Sequence, residues 1–330
     1  MSANPRPLPL PDDPHAEATR RVRQNVSAGL AAPLSALRRL RAGRRLVELA
    51  FFFALWIAGA TLGLANLDPS ETTGWIARAA GVLIAAAALN AIYLASHEGH
   101  HRLLFRNRRV NDIATFLLCA PLLHGATAYR VLHEQHHWHL GGPGDPDDYR
   151  NYTRNRRSIW ALHWARLLFG TWFYLELIPI VGWRRASAAD RPRIAIEYAL
   201  LLPAWAAVLM TWPLDVLLQA WLLPGVLVCY FSAVRALAQH ALTTREDPFA
   251  ASRSVRSGPI VSFLLLNENY HLEHHLFPEV PSYNLPALRR LIAPRLPRAV
   301  EDVSYTRFLA RFLLRSIRGD DSVLGLEQHS

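Results

Sequence analysis

Three short stretches of this chain concentrate imidazole: His97-Glu98-Gly99-His100-His101, His133-Glu134-Gln135-His136-His137 and His271-Leu272-Glu273-His274-His275. Residues at i, i+3 and i+4 share one face of a helix, so each stretch, if helical, aims two or three ring nitrogens at one point. Neutral imidazole is the commonest protein ligand for transition metals. The chain holds 15 histidines in all, more than a core needs, and three such faces carry too many ligands for one tetrahedral ion. The pattern reads as a metal cage. The first two stretches also satisfy His-Glu-x-x-His, the helical zinc-peptidase pattern in which the glutamate is the general base. Such an enzyme needs one motif and one further ligand, whereas two copies and a third cluster stand here. Glu98, Glu134 and Glu273 are then expected to accept hydrogen bonds from ring N–H groups and so orient the histidines. His100 and His139 fall off the shared faces and are expected beside the cage. The isolated His15, His163 and His329 read as ordinary surface or core residues, and His124 is assigned to neither group.

The clusters need elements to hold them. A bilayer span takes roughly 20 mostly apolar residues, and four segments qualify: 46–65, 74–96, 194–212 and 214–234. Residues 113–123 are too short. Residues 159–183 are long enough, but they hold His163, Arg166, Glu176 and Pro179, which suits a helix lying in the interface. The loop 66–73 contains Asp68 and Glu71 but no arginine, and the last two spans meet at Pro213. Residues 102–193 and 235–318 are rich in arginine, so the positive-inside rule places the termini and all three clusters on the cytoplasmic side. His97 directly follows the second span, and His240 follows the fourth by under two turns.

The expected fold is an all-α membrane protein: four transmembrane helices in two hairpins, with a cytoplasmic helical cap holding a histidine-rich dimetal site. Residues 1–45 form a disordered and basic juxtamembrane segment, and 46–96 the first hairpin. Residues 97–193 carry the first two clusters and the interfacial helix, 194–234 the second hairpin, and 235–330 the cap with the third cluster. The net charge of +10, carried without any lysine, suits anionic headgroups. No helix-turn-helix, RNP or finger pattern supports nucleic acid. Cys119 and Cys229 form no CxxC, which argues against an iron–sulfur site or a disulfide scaffold. Residues 1–15 lack the apolar core of a signal peptide.

The pattern resembles the membrane fatty acid desaturase and hydroxylase family, which shows HxxxH, then HxxHH, then a distant HxxHH preceded by one extra histidine. Here these are His97 and His101; His133, His136 and His137; and His271, His274 and His275, with His240 as the extra one. Tyr129-Arg130 before the second box and residues 267–286 through the third also match, and the resemblance covers residues 46–291. It implies a di-iron centre with nine histidine ligands on a four-span, mushroom-shaped helical fold. It further implies O2 as co-substrate, a lipid acyl chain as substrate, and a separate electron donor of ferredoxin or cytochrome b5 type, since no such module is fused to the chain. An integral membrane location follows, in the inner membrane if the source is bacterial. Relatives often place glutamate before the extra histidine, where this chain has Gln239.

Zinc has no redox role and its structural sites close at four ligands, so two six-coordinate irons fit nine imidazoles better. The expected reaction is introduction of a C=C bond into a fatty acyl chain. Hydroxylation or ketolation of an acyl or carotenoid chain on the same site is the alternative, because the spacer at residues 141–148 is similar to that of carotenoid ketolases. Its aspartates are expected in a solvated loop. A membrane zinc peptidase remains as a reading of another class. The arginine-rich face suits an acidic redox partner as well as it suits lipid.

Overall fold

The computed structural model describes residues 14–65, 72–171, 173–243, 249, 251–297 and 303–324, without the side chains of 14–16, 173–176, 322 and 323. The expectation of disorder over residues 1–15 therefore falls almost wholly outside the described residues, as do the loop 66–71, the side chain of His15, and His329.

The described chain is mostly helical. It begins with α1 (Pro14–Ser27) and α2 (Ala31–Leu37). These were expected as a basic stretch on the headgroups, but they pack inward instead. Val26 and Leu34 bury against Leu272, Leu276, Phe277, Leu285, Leu288 and Ile292, residues of and beyond the third cluster. Ion pairs fix the arrangement, with Arg23 at 2.9 Å and Arg38 at 2.6 Å from the two oxygens of Glu279. Arg295 donates to the carbonyls of Val26 and Ala28. An apolar face finds protein to cover it here, which outweighs headgroup attraction for the arginines beside it.

Four of the described helices are long and apolar enough to cross a membrane: α3 (Ala42–Ala65), α4 (Thr72–His100), α9 (Arg191–Thr211) and a compound helix over Leu214–His240. The chain is an integral membrane protein. Between α4 and α9 lie α5 (Arg108–Cys119), α6 (Ala126–Trp138), α7 (Arg156–Phe169) and α8 (Phe173–Arg185). The compound helix is α10 (Leu214–Leu217), a π-helical turn at Leu218–Leu222, and α11 (Leu223–His240). In lipid, helices gain little by burying apolar surface and associate where small residues let backbones touch. Gly59 and Gly63 on α3 meet Gly81 on α4, and a Cβ on Gly63 would overlap the amide of Gln219. That amide, projected by the π-turn, donates to the Arg78 carbonyl at 3.0 Å. α4 is the innermost of the four, with 61% of its apolar window buried against 11% for α9.

Residues 159–183 do not form one interfacial helix. The chain breaks between α7 and α8 at Gly170, whose φ is +75° and where a Cβ would stand 3.1 Å from that of Cys229. Glycine adopts that conformation without the steric cost a side chain adds. After α11 come a short strand β1 (Val255–Arg256), α12 (Pro259–Leu264), α13 (His271–Leu276) and α14 (Leu285–Ile292). Strand β2 (Val303–Ser304) pairs in parallel with β1, Val303 opposite Val255. It leads into α15 (Tyr305–Arg318), which buries Phe308 and Phe312 with Leu237 at the end of α11.

Candidate metal centre

The three histidine stretches reach one place because four helices are ended and aimed there. α4 continues past its apolar part and carries His97 in its last turn, with His101 just beyond. Asn107 accepts from the backbone N–H groups of Arg109 and Val110 and so starts α5, and the Asn111 amide donates to the Gly99 carbonyl at 2.8 Å. The end of α4 is thereby fastened to its neighbour. α6 presents His133, His136 and His137, and α11 ends on His240. Two consecutive left-handed residues, Leu266 (φ 45°) and Asn267 (φ 59°), turn the chain into α13. Such conformations are costly for residues with side chains and persist where the surroundings impose them.

One ring nitrogen from each of His97, His101, His133, His137 and His274 lies within 4.8 Å of the others, and His136, His240 and His275 form a second such group. His271 adjoins this second group, its Nε2 being 2.7 Å from that of His240 and 3.0 Å from that of His275. All nine histidines singled out in the sequence are brought together.

The spacing of these nitrogens tests whether a metal fits. His133 Nε2 lies 2.8 Å from His101 Nε2 and 3.1 Å from His137 Nε2, and His137 Nε2 lies 3.1 Å from His274 Nε2. An imidazole nitrogen carries one lone pair or one hydrogen, so Nε2 of His133, His137 or His271 cannot serve two such neighbours by hydrogen bonding. A shared ion can. At a metal–nitrogen distance of ~2.1 Å, ligands at 90° stand about 3.0 Å apart and tetrahedral ligands about 3.4 Å. The observed separations match the right-angled arrangement of a six-coordinate ion.

The electrostatics agree. Burial first, and neighbouring imidazoles second, hold His101, His133, His137, His271 and His275 well below the usual histidine range. Burial does the same for His274, against the nearby Glu268. The neutral ring is the ligating form. His136 differs: burial pushes it down, but the Asp145 carboxylate outweighs this and raises it to about 9.

The carboxylates that orient the rings are not those expected. Glu98 accepts from Arg45 and the Ser282 N–H, Glu134 from Arg130 at 3.1 Å, and Glu273 from Ser254 and Arg289. None of the three bonds an imidazole. A glutamate one residue after a ligating histidine is turned about 100° away around the helix, toward whatever packs behind it. Instead Asp145 takes the Nδ1–H of His136 at 2.8 Å and also accepts from the Gly141 N–H. It is 3% exposed and not part of a solvated loop. Glu268, fully buried, stands 3.6 Å from His97 Nδ1 and 3.8 Å from His271 Nδ1, one histidine from each group. Gln239 serves neither as donor nor as acceptor to His240; its amide donates to the Glu268 carbonyl at 2.7 Å.

His100, beside Cys119 and the Tyr129 ring, stays outside both groups, as do His139 at the end of α6 and His163 near Tyr149. With Glu98 and Glu134 turned to arginines, neither His-Glu-x-x-His stretch offers a general base, and the peptidase arrangement is not formed.

A cavity of about 190 Å³ abuts the centre. His97, His133, His136, His240 and His271 form part of its wall, and Leu89, Leu122, Leu132, Ile178, Trp221 and Val228 are among its apolar lining. A largely apolar hollow with a few polar groups is what an alkyl chain requires.

The model of the fatty acid desaturase family matches residues 73–307. The sn-1 oleoyl-lipid 12-desaturase of Synechocystis sp. is 23% identical over 223 residues, 60% of this chain and 63% of that protein. The chloroplastic omega-6 fatty acid desaturase of Arabidopsis thaliana is 23% identical over 240 residues, 62% of this chain and 51% of its own length. A sphingolipid delta(4)-desaturase/C4-monooxygenase of Mus musculus is 25% identical over 247 residues, 70% of each chain. The matched region spans 63% and 51% of the first two relatives, less than two thirds of their length.

Proposed function

The chain belongs to the fatty acid desaturase family, and from that footing we propose that it is an O2-dependent di-iron membrane oxidoreductase that introduces a C=C bond into a lipid acyl chain. The observation that carries this reading is the close approach of Nε2 atoms among seven of the nine clustered imidazoles, which a pair of ions explains and hydrogen bonding does not. The relatives' names supply the reaction class. His97, His101, His133, His137 and His274 would hold one iron, and His136, His240, His271 and His275 the other. When bound, the irons supply the redox capacity to spend O2, two electrons and two protons on removing two hydrogens from the chain, leaving two waters.

The protein's own residues set the conditions. Asp145 keeps the His136 proton on Nδ1, which leaves Nε2 to ligate. Glu268, between His97 and His271, places one negative charge where two cations would meet. The leucine, isoleucine and tryptophan wall holds an alkyl chain against the centre and excludes bulk water. The electrons are assigned to a separate carrier of ferredoxin or cytochrome b5 type, docking on the arginine-rich side. The same arginine distribution supports two membrane hairpins, with the termini, a helical cap and the site facing the cytoplasm. Hydroxylation is the second outcome of the same chemistry, since the mouse relative is named for both reactions.

Metal analysis of protein purified without affinity-tag histidines is expected to give two irons per chain. Cells expressing it are expected to gain unsaturated acyl chains. One zinc per chain, or lipids and carotenoids with neither new double bonds nor new oxygens, would refute the assignment.

A further inference from the structure

His124 has no task in the reading above, yet it stands in the wall of the same cavity. It sits in the turn between α5 and α6, after Leu123, whose φ of 61° is left-handed. The residue is 3% exposed, and neither ring nitrogen has a hydrogen-bond partner. A buried polar group left unpaired is costly, and a histidine is an expensive way to fill apolar space. Burial holds the ring neutral, with its pKa pushed down to about 4, so one nitrogen donates and the other accepts.

Its neighbours are two tyrosines that also line the cavity. The Tyr93 and Tyr129 hydroxyls lie 3.2 Å apart. One hydrogen serves that bond, which leaves the other hydroxyl hydrogen of the pair to give elsewhere. Tyr129 in turn lies flat on His133, its ring 5.6 Å away at 11°, and 5.2 Å from the His124 ring, which puts the two imidazoles within about 11 Å of each other. A ligand atom held at His124 is therefore a short run of methylenes from the metal centre.

We propose that His124 and the Tyr93–Tyr129 pair bind a hydroxyl group on the substrate's alkyl chain, so that the enzyme selects chains hydroxylated close to the carbon it oxidises. This rests on the acyl-oxidising function given above. A hydroxyl is the oxygen that fits: it donates to the accepting nitrogen of His124 and accepts from the uncommitted tyrosine hydrogen. A carboxylate or a ketone can only accept, so it can take a hydrogen from the ring or the tyrosine but give none to the accepting nitrogen, whereas a hydroxyl does both. A site built to hydrogen-bond a hydroxyl rejects a chain lacking it more strongly than a packing change would, because the site's own polar groups are then stranded.

The test uses the full-length iron-loaded enzyme in vesicles, supplied with O2 and a reduced ferredoxin or cytochrome b5, with stearoyl phosphatidylcholine and counterparts whose stearoyl chain bears one hydroxyl at successive carbons. The expected result is a new double bond at a constant offset from the hydroxyl, with kcat/KM at least about tenfold above the plain chain. His124→Leu is expected to lose that offset, and His124→Asn to retain part of it. A double bond at a fixed distance from the carboxyl or methyl end, wherever the hydroxyl stands, would overturn this proposal alone. Failure to oxidise any chain, plain stearoyl included, would overturn it together with the function it rests on. If His124→Leu does not fold, the series with the unaltered enzyme decides.

Discussion

The five-histidine group takes its residues from α4, α6 and α13, whereas the four-histidine group takes them from α6, α11 and α13. The two are anchored differently on the side away from the proposed ions. In the smaller group His136 is held by Asp145 at 2.8 Å, while Nδ1 of His271 and Nδ1 of His275 have no hydrogen-bond partner. In the larger group His97 has only the more distant Glu268, and Nδ1 of His137 has no partner. The smaller group has one ring locked by a carboxylate at hydrogen-bonding distance, whereas among the described residues the nearest carboxylate to the larger group is Glu268 at 3.6 Å. Orienting partners of ligating histidines are worth roughly 10–100-fold in metal affinity, so the two sites should respond separately to loss of an anchor.

The largest effect is expected from His274→Ala, which removes a ring from the five-histidine group. Turnover should fall at least about a hundredfold, and iron should drop from two per chain toward one. Glu268→Gln comes next, since this carboxylate faces one histidine of each group; chelator competition should show both irons held roughly 10–100-fold more weakly. Asp145→Asn sharpens the contrast, because it should weaken one site by a similar factor and spare the other. Equal loss from both sites in that variant would erase the distinction between the groups.

Glu98→Gln touches neither group. Iron content should remain at two, while thermal unfolding should report a loss of about 1–3 kcal/mol for leaving Arg45 short of its buried partner. Acidity should act on the metal-free protein. The rings of His101, His133, His137, His271, His274 and His275 have folded pKa values pushed below the unfolded value. Their contribution is present above about pH 6.5 and is lost as pH falls below it, because the unfolded chain then binds protons the folded one refuses. The metal-free protein should show a falling Tm from pH 7.5 to 5.5, and a flat profile would contradict the burial of these rings.

The nine histidines and the four long apolar helices could be read from the sequence because both signals are local: i, i+3, i+4 spacing and uninterrupted runs of apolar residues. What stayed hidden depends on contacts between distant segments. Asp145 lies in a Gly-Pro-Asp stretch that looks like solvent-exposed loop, and only the fold closes it over His136. Glu268 precedes the third box by three residues but gains meaning from His97, far upstream. Glu98, Glu134 and Glu273 misled because adjacency to histidine along the chain is not adjacency around a helix. The break at Gly170 went unread because a lone glycine inside an apolar stretch does not announce a left-handed turn. The inward packing of α1 and α2 needed the third cluster as a partner.

That last feature bears on how the molecule is made. Arg23 and Arg38 close onto Glu279 across 256 and 241 residues, and closing so long a loop is entropically costly and slow. Residues 14–37 must therefore wait for the distant Glu279 before they find their seat. Until then Leu272 and Leu276, between and beside the histidines of the last cluster, lack the cover of Val26 and Leu34, so that side of the third box is packed only late in folding.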